Sequence, residues 1–181
     1  MIDVNFELNG KARKESVDPV KRLSEFLRDD MGLSATKVGC NAGDCGSCTV
    51  MIDGKTACSC LVSASQIAGS KIETLENMTN DGQLSRLQRS FLHFGAAQCG
   101  FRTPGMLVSA KALLEKQQEP SHQEVEDALG GVLCRCTGYK KIIEAAVHAH
   151  EFADEELLPE AGKGVGSAIR HLDGDPTAPA I

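Results

Sequence analysis

Tryptophan is absent from the 181 residues, tyrosine occurs once, and aromatic residues make up 4% of the chain. Visible colour in this protein would therefore come from a bound group. No apolar run is long enough to span a bilayer, and no leader pattern precedes Met1-Ile-Asp-Val-Asn. No run of basic residues occurs either, and the formal net charge is −6. That balance argues against a nucleic-acid surface, which needs clustered Lys and Arg to meet phosphates. These absences predict a cytoplasmic chain that neither inserts into a membrane nor binds nucleic acid. A hydrophobic content of 41% over this length suffices for one or two modest cores.

Cysteine, by contrast, occurs eight times. In a reducing compartment such residues read as metal ligands rather than as a disulfide framework. Cys40, Cys45 and Cys48 are spaced C-x4-C-x2-C, and Cys60 follows after eleven residues. This is the ligand pattern of a plant-type [2Fe-2S] cluster. Iron and sulfide are held by soft thiolates, and here three of them come from one tight loop. Gly39, Gly43 and Gly46 allow that loop backbone angles that a side chain would block. A structural zinc site is the weaker reading, because its cysteine pairs are separated by a longer span, and three cysteines this close crowd a tetrahedral ion. Cys58 lies two residues before Cys60 and on a strand would share its face. It could be a rival ligand or a small half-buried residue, and the second reading rests on the resemblance given below, which places the ligand at Cys60.

Patterning divides the chain into three parts. Ile2, Val4, Phe6 and Leu8 alternate with polar residues, Asn9-Gly10 signals a hairpin turn, and residues 11–17 return as a second strand. Asp18 and Pro19 predict the start of a helix with Leu23, Phe26 and Leu27 on its apolar face. Residues 49–52 and 56–60 read as a hairpin around Asp53-Gly54, and residues 71–75 as a last strand. From Asn77 the pattern becomes helical. A first helix is expected to start at Asn80 or Asp81 and a second at Thr103-Pro104. Ser121-x-x-Glu124 is a capping box for a third, which Gly130-Gly131 ends, and a fourth is expected from about Thr137. Cys99, Cys134 and Cys136 fall just before predicted helices, whose N-termini carry partial positive charge and favour thiolates. The predicted class is α+β: a β-grasp ferredoxin-type domain over residues 1–76, a four-helix bundle over 77–155 and an extended tail over 156–181. Glycine and proline in the tail argue against a packed core there.

The segments Val38-Gly-Cys40 to Cys48-Thr-Val and Ser59-Cys60-Leu61 resemble the small iron–sulfur subunit of the molybdenum hydroxylases. So do Gln98-Cys99-Gly-Phe, Thr103-Pro-Gly-Met106 and Leu133-Cys134-Arg-Cys136-Thr-Gly-Tyr139. This is the family of xanthine dehydrogenase, aldehyde oxidoreductase and carbon monoxide dehydrogenase, and the resemblance covers roughly residues 1–150. It implies two [2Fe-2S] clusters, one on Cys40, Cys45, Cys48 and Cys60, the other on a C-x2-C and a C-x-C pair. Cys99, Cys134 and Cys136 match the second set, but Arg102 stands where its remaining cysteine is expected. The resemblance further implies that Gln98 hydrogen-bonds the pterin of a molybdenum cofactor and that Cys136 approaches the pterin amine. An amide suits that contact because it both donates and accepts. No catalytic residue is expected on this chain. Substrate would be hydroxylated in a large molybdopterin-binding subunit, and electrons would pass singly through the clusters to FAD in a medium subunit or to an external acceptor.

Arg102 admits four explanations: a non-cysteine ligand (Arg102 itself, Thr103 or water), an absent or unstable second cluster, a non-native residue, or a cysteine supplied from elsewhere. Arginine only donates hydrogen bonds and is a poor ligand. Three thiols nevertheless persist together, so the second cluster is expected to be retained, with a potential raised by the added positive charge. A stand-alone ferredoxin-like carrier and a one-cluster structural subunit are the competing functions. The five histidines show no ligand spacing and are read as surface or interface residues. Val165-Gly166 and Asp173-Gly174 in the tail are similar to the start of the family's molybdenum subunits, which suggests that the tail docks on the large subunit.

Overall fold

Asn9 and Gly10 both take left-handed backbone angles, φ 51° and 75°. This is the twist that a two-residue turn needs to join twisted antiparallel strands. The turn links β1 (Ile2–Leu8) to β2 (Lys11–Val17) and sets Leu8 opposite Lys11. Asp53-Gly54 repeats the device, φ 50° and 75°, between β3 (Thr49–Ile52) and β4 (Lys55–Cys58). The computed structural model describes residues 1–79 and 83–152. Within these, β5 (Lys71–Glu73) runs parallel to β1 and antiparallel to β3, giving a mixed sheet of order β2-β1-β5-β3-β4.

The first helix starts later than Asp18-Pro19 suggested. Asp18 instead accepts from the Val20 N–H at 3.0 Å, forming a turn, and α1 (Leu23–Glu25) continues directly into a wider π-helical turn, Phe26–Asp30. Leu23, Phe26 and Leu27 still face the sheet as their spacing predicts, packed with Val4, Phe6, Leu8, Val17, Val50 and Ile72. Burying each such side chain contributes about 1.5–3 kcal/mol. The Phe6 and Phe26 rings meet edge-on at 5.9 Å.

The second unit holds α2 (Arg86–His93), α3 (Thr103–Leu114), α4 (His122–Leu129) and α5 (Lys140–Val147). Leu87, Phe91, Met106, Leu107, Val125, Leu129 and Ile142 form its core. Two of these helices begin at capping boxes: α4 at Ser121 with Glu124, as expected, and α2 at Ser85 with Gln88. Asn80 and Asp81, the expected start of α2, lie outside the described residues, as does the tail over 156–181. The fourth helix begins at Lys140 rather than near Thr137, because Gly138 and Tyr139 are left-handed, φ 63° and 66°, and an α-helix cannot pass through them. No helix among the described residues is long and apolar enough to cross a membrane.

A small apolar cluster joins the units: Met51 of β3 against Val108 and Ala112 of α3. Beside it, Lys111 of α3 donates to Glu73 of β5 at 2.8 Å and to Glu115 at 2.5 Å. Burial works against the Lys111 charge, but hydrogen bonds to the two carboxylates outweigh it and raise its pKa, while the bond from Lys111 lowers that of Glu73. Elsewhere backbone meets backbone. A Cβ on Gly46 would sit 2.1 Å from the Gly131 carbonyl oxygen, and one on Gly105 would sit 2.5 Å from that of Gly46.

Gly54→Ala meets nothing within 4 Å and should lose only the backbone preference, about 1–2 kcal/mol. Gly46→Ala should lose that and a further ~1–3 kcal/mol from overpacking against residues 131–132. Urea denaturation followed by circular dichroism measures both, and equal losses would contradict the close contact of the two units.

Candidate iron–sulfur sites

Between the π-helical turn and β3 the chain forms a loop in which Asn41, Gly43 and Gly46 are all left-handed. That bend brings Cys40, Cys45 and Cys48 round to Cys60. Cys45, Cys48 and Cys60 are buried and Cys40 is exposed. Among the described residues, no three His, Cys, Asp or Glu side chains gather as ligands of a single metal ion. Cys45 lies beside Cys40, and Cys48 lies beside both Cys60 and Cys58. Cys40, Cys45, Cys48 and Cys60 would supply the four thiolates that a [2Fe-2S] cluster takes. Hydrogen bonds hold the loop: the Arg22 guanidinium donates to the carbonyls of Asn41 (2.5 Å) and Cys60 (3.0 Å), and the Ala42 N–H donates to Cys40 Sγ at 3.3 Å.

Burial opposes ionisation of Cys45, but hydrogen bonds with the side chain and backbone of Ser47 and with Cys40 outweigh it and bring the thiol down to about 6. Cys60 is pushed up to about 11, first by burial and then by its hydrogen bond with Cys48. Four soft donors, one already inclined to ionise and three of them (Cys40, Cys45 and Cys60) held by backbone polar groups, fit a [2Fe-2S] cluster.

β4 ends at Cys58, and Ser59–Leu61 forms a 3₁₀ turn, so Cys60 leaves the strand instead of following Cys58 along one face. Cys58 is half-buried, with Sγ 3.5 Å from the Gly43 carbonyl and a further contact to Cys48, and burial is the main cause that raises its pKa.

The second group lies at the helical unit. Gln98, Cys99, Arg102, Thr103, Cys134 and Cys136 line one small depression at the start of α3. Cys99 and Cys136 are exposed and hydrogen-bonded to each other, and Cys134 is half-buried. The Phe101 N–H lowers the pKa of Cys99, and the Cys99–Cys136 bond raises that of Cys136. Burial disfavours the Cys134 thiolate, but hydrogen bonds from the Thr137 hydroxyl (3.2 Å) and nearby backbone more than offset it. Tyr139 shapes this loop: its hydroxyl accepts from the Cys134 N–H at 2.7 Å and donates to the Val132 carbonyl at 3.1 Å. The donor set here is one thiolate short of the four that a [2Fe-2S] cluster takes. The two groups are close, since the Leu133 N–H, next to Cys134, donates to the Cys45 carbonyl at 3.1 Å.

Arg22, Ser47 and Tyr139 carry these loops, and sequence reasoning gave none of them a role. For Tyr139 the signal was its being the chain's lone tyrosine, placed directly after a cysteine loop.

Cys60→Ser should cost the loop its cluster, about two irons per chain, whereas Cys58→Ser should leave iron content and visible absorption unchanged. Iron analysis of the two purified variants separates the residues, and the reverse result would move the fourth ligand to Cys58.

Residues 6–77 match the 2Fe-2S iron-sulfur cluster binding domain family, and residues 73–147 match the [2Fe-2S] binding domain family. The nicotinate dehydrogenase small FeS subunit of Eubacterium barkeri is 48% identical over 150 residues, covering 83% of this chain and 96% of its own. The xanthine dehydrogenase iron-sulfur-binding subunit of Escherichia coli O157:H7 is 40% identical over 148 residues, covering 81% of this chain and 92% of its own. Among solved structures, quinoline 2-oxidoreductase from Pseudomonas putida 86 superposes with a TM-score of 0.80 at 40% identity, covering 93% of this chain and 96% of that one. With two thiol loops in the same order on the same α+β fold, the chain belongs to the small iron–sulfur subunits of the molybdenum hydroxylases, the electron-transfer components of multi-subunit oxidoreductases.

Proposed function

We propose that this subunit carries electrons one at a time from a large molybdopterin-binding subunit to FAD in a medium subunit, or to an external acceptor. The observation that carries the reading is the ferredoxin-type loop, which brings Cys40, Cys45 and Cys48 round to Cys60 beside β3 and β4. A [2Fe-2S] cluster bound there takes up and releases one electron. The chain's own residues do the rest. Cys40, Cys45, Cys48 and Cys60 would hold the group, and Arg22 fixes the carbonyls of Asn41 and Cys60 in the same loop region.

At the helical site we propose a second cluster on Cys99, Cys134 and Cys136 with a fourth ligand that is not a thiolate. No electron step is assigned to it, because three thiols do not complete the donor set. Gln98 and Cys136, exposed at the rim, are the residues proposed to meet the pterin of the partner. Domain limits of 1–76 and 77–155 are supported by two cores, one behind β1 to β5 and one among α2 to α5. The complex is placed in the cytoplasm, where thiols stay reduced and free to take up iron. Relatives are named for nicotinate, nicotine, xanthine and caffeine. The described residues offer no feature that selects among these, since substrate choice would reside in the large subunit.

Electron paramagnetic resonance of the dithionite-reduced complex, with iron counted per chain, tests both sites. Two distinct signals and about four irons are expected. One signal with about two irons would overturn the helical site, and a chain without iron would overturn the whole reading.

A further inference from the structure

Arg102 bridges the two thiol groups. Its backbone forms the N-cap of α3, its guanidinium carbon lies 4.9 Å from the centre of the Phe101 ring, and its Nε donates to the Leu133 carbonyl at 2.9 Å. These contacts anchor the side chain on the helical unit. Its outer end reaches the other unit. A Cβ built on Gly39 would lie 2.9 Å from each of Arg102 Nη1, Cys45 Sγ and Ser47 Oγ, so all three atoms converge on the space that this glycine leaves open. Leu133 completes the strap: its carbonyl takes the Arg102 bond, and its N–H donates to the Cys45 carbonyl at 3.1 Å. A guanidinium has five donors, no acceptor and a permanent charge, so it serves thiolates as a fixed cation and not as a ligand.

We propose that Arg102 is a positioning residue for the ferredoxin-type cluster: anchored on the helical unit, it presents a fixed positive charge to the Gly39–Cys45 end of the loop and raises that cluster's reduction potential. The inference rests on the reading that the loop holds a [2Fe-2S] cluster. Reduction adds one negative charge to the cluster, and a half-buried cation beside it stabilises the reduced form more than the oxidised one. The position expected to supply a ligand to one site thus tunes the other. Gly39 is part of the arrangement, because a Cβ there would crowd Nη1, Cys45 Sγ and Ser47 Oγ alike.

The test is redox titration of the ferredoxin-type signal in the assembled complex. Arg102→Gln and Arg102→Met, two neutral side chains, should shift its midpoint to lower potential while iron at the loop is unchanged. Arg102→Lys, which keeps the charge, should stay nearer the parent value, an effect that a purely structural role would not produce. Two neutral variants with the parent midpoint overturn the inference and leave the proposed function standing. Absence of the loop's signal in the parent protein removes the proposed function and this inference together.

Discussion

Close backbone contact between the ferredoxin-type loop and the helical unit is the constraint on which the other features depend. Gly46 has no side chain, so the loop can rest directly on residues 131–132 and on Gly105 at the start of α3. The same contact puts Leu133 within hydrogen-bond reach of Cys45 and leaves Cys134 one residue away from that bridge. Electron transfer weakens steeply with distance, so a subunit that carries electrons between partners needs its cluster loop close to the neighbouring unit and rigidly held. Glycine pairs at the seam meet the first need, and the Met51–Val108 cluster with the Glu73–Lys111 pair meets the second.

Charge sets the second constraint. Several thiols crowded into one loop cannot all ionise without compensation. Ser47 and Cys40 favour ionisation at Cys45, while burial and Cys48 hold Cys60 protonated. Binding of iron would release the retained protons, which couples assembly of the site to pH. Two arginines come from outside the loop, Arg22 to its carbonyls and Arg102 to its Gly39 end. Each is anchored on a neighbouring element, so the positive charge does not have to be ordered when the site fills.

Much of the architecture was legible in the residues. Asn-Gly and Asp-Gly predicted two hairpins because few other residue pairs accept two left-handed angles in succession. Ser121 and Glu124 announced a helix start because both sides of a capping box are local. Where the reading missed, long-range contacts or backbone angles decided. The helix expected at Asp18 gave way to a turn followed by a bridge that pairs Arg22 with Ser63. The last helix was delayed by Tyr139, whose left-handed angle accompanies its hydrogen bonds to the cysteine loop.

By itself the sequence determined the chemistry: cysteine spacing selects iron and sulfide, and two thiol motifs in order select the family, because ligand spacing is a local property of the chain. Only the tertiary structure decided how the thiols sit relative to one another and what else reaches them. Cys60 leaves the line of Cys58 because the chain turns after β4, and Arg102 faces Gly39 because α3 is docked on the loop. Such choices depend on contacts between residues far apart in sequence, and a linear motif does not carry that information.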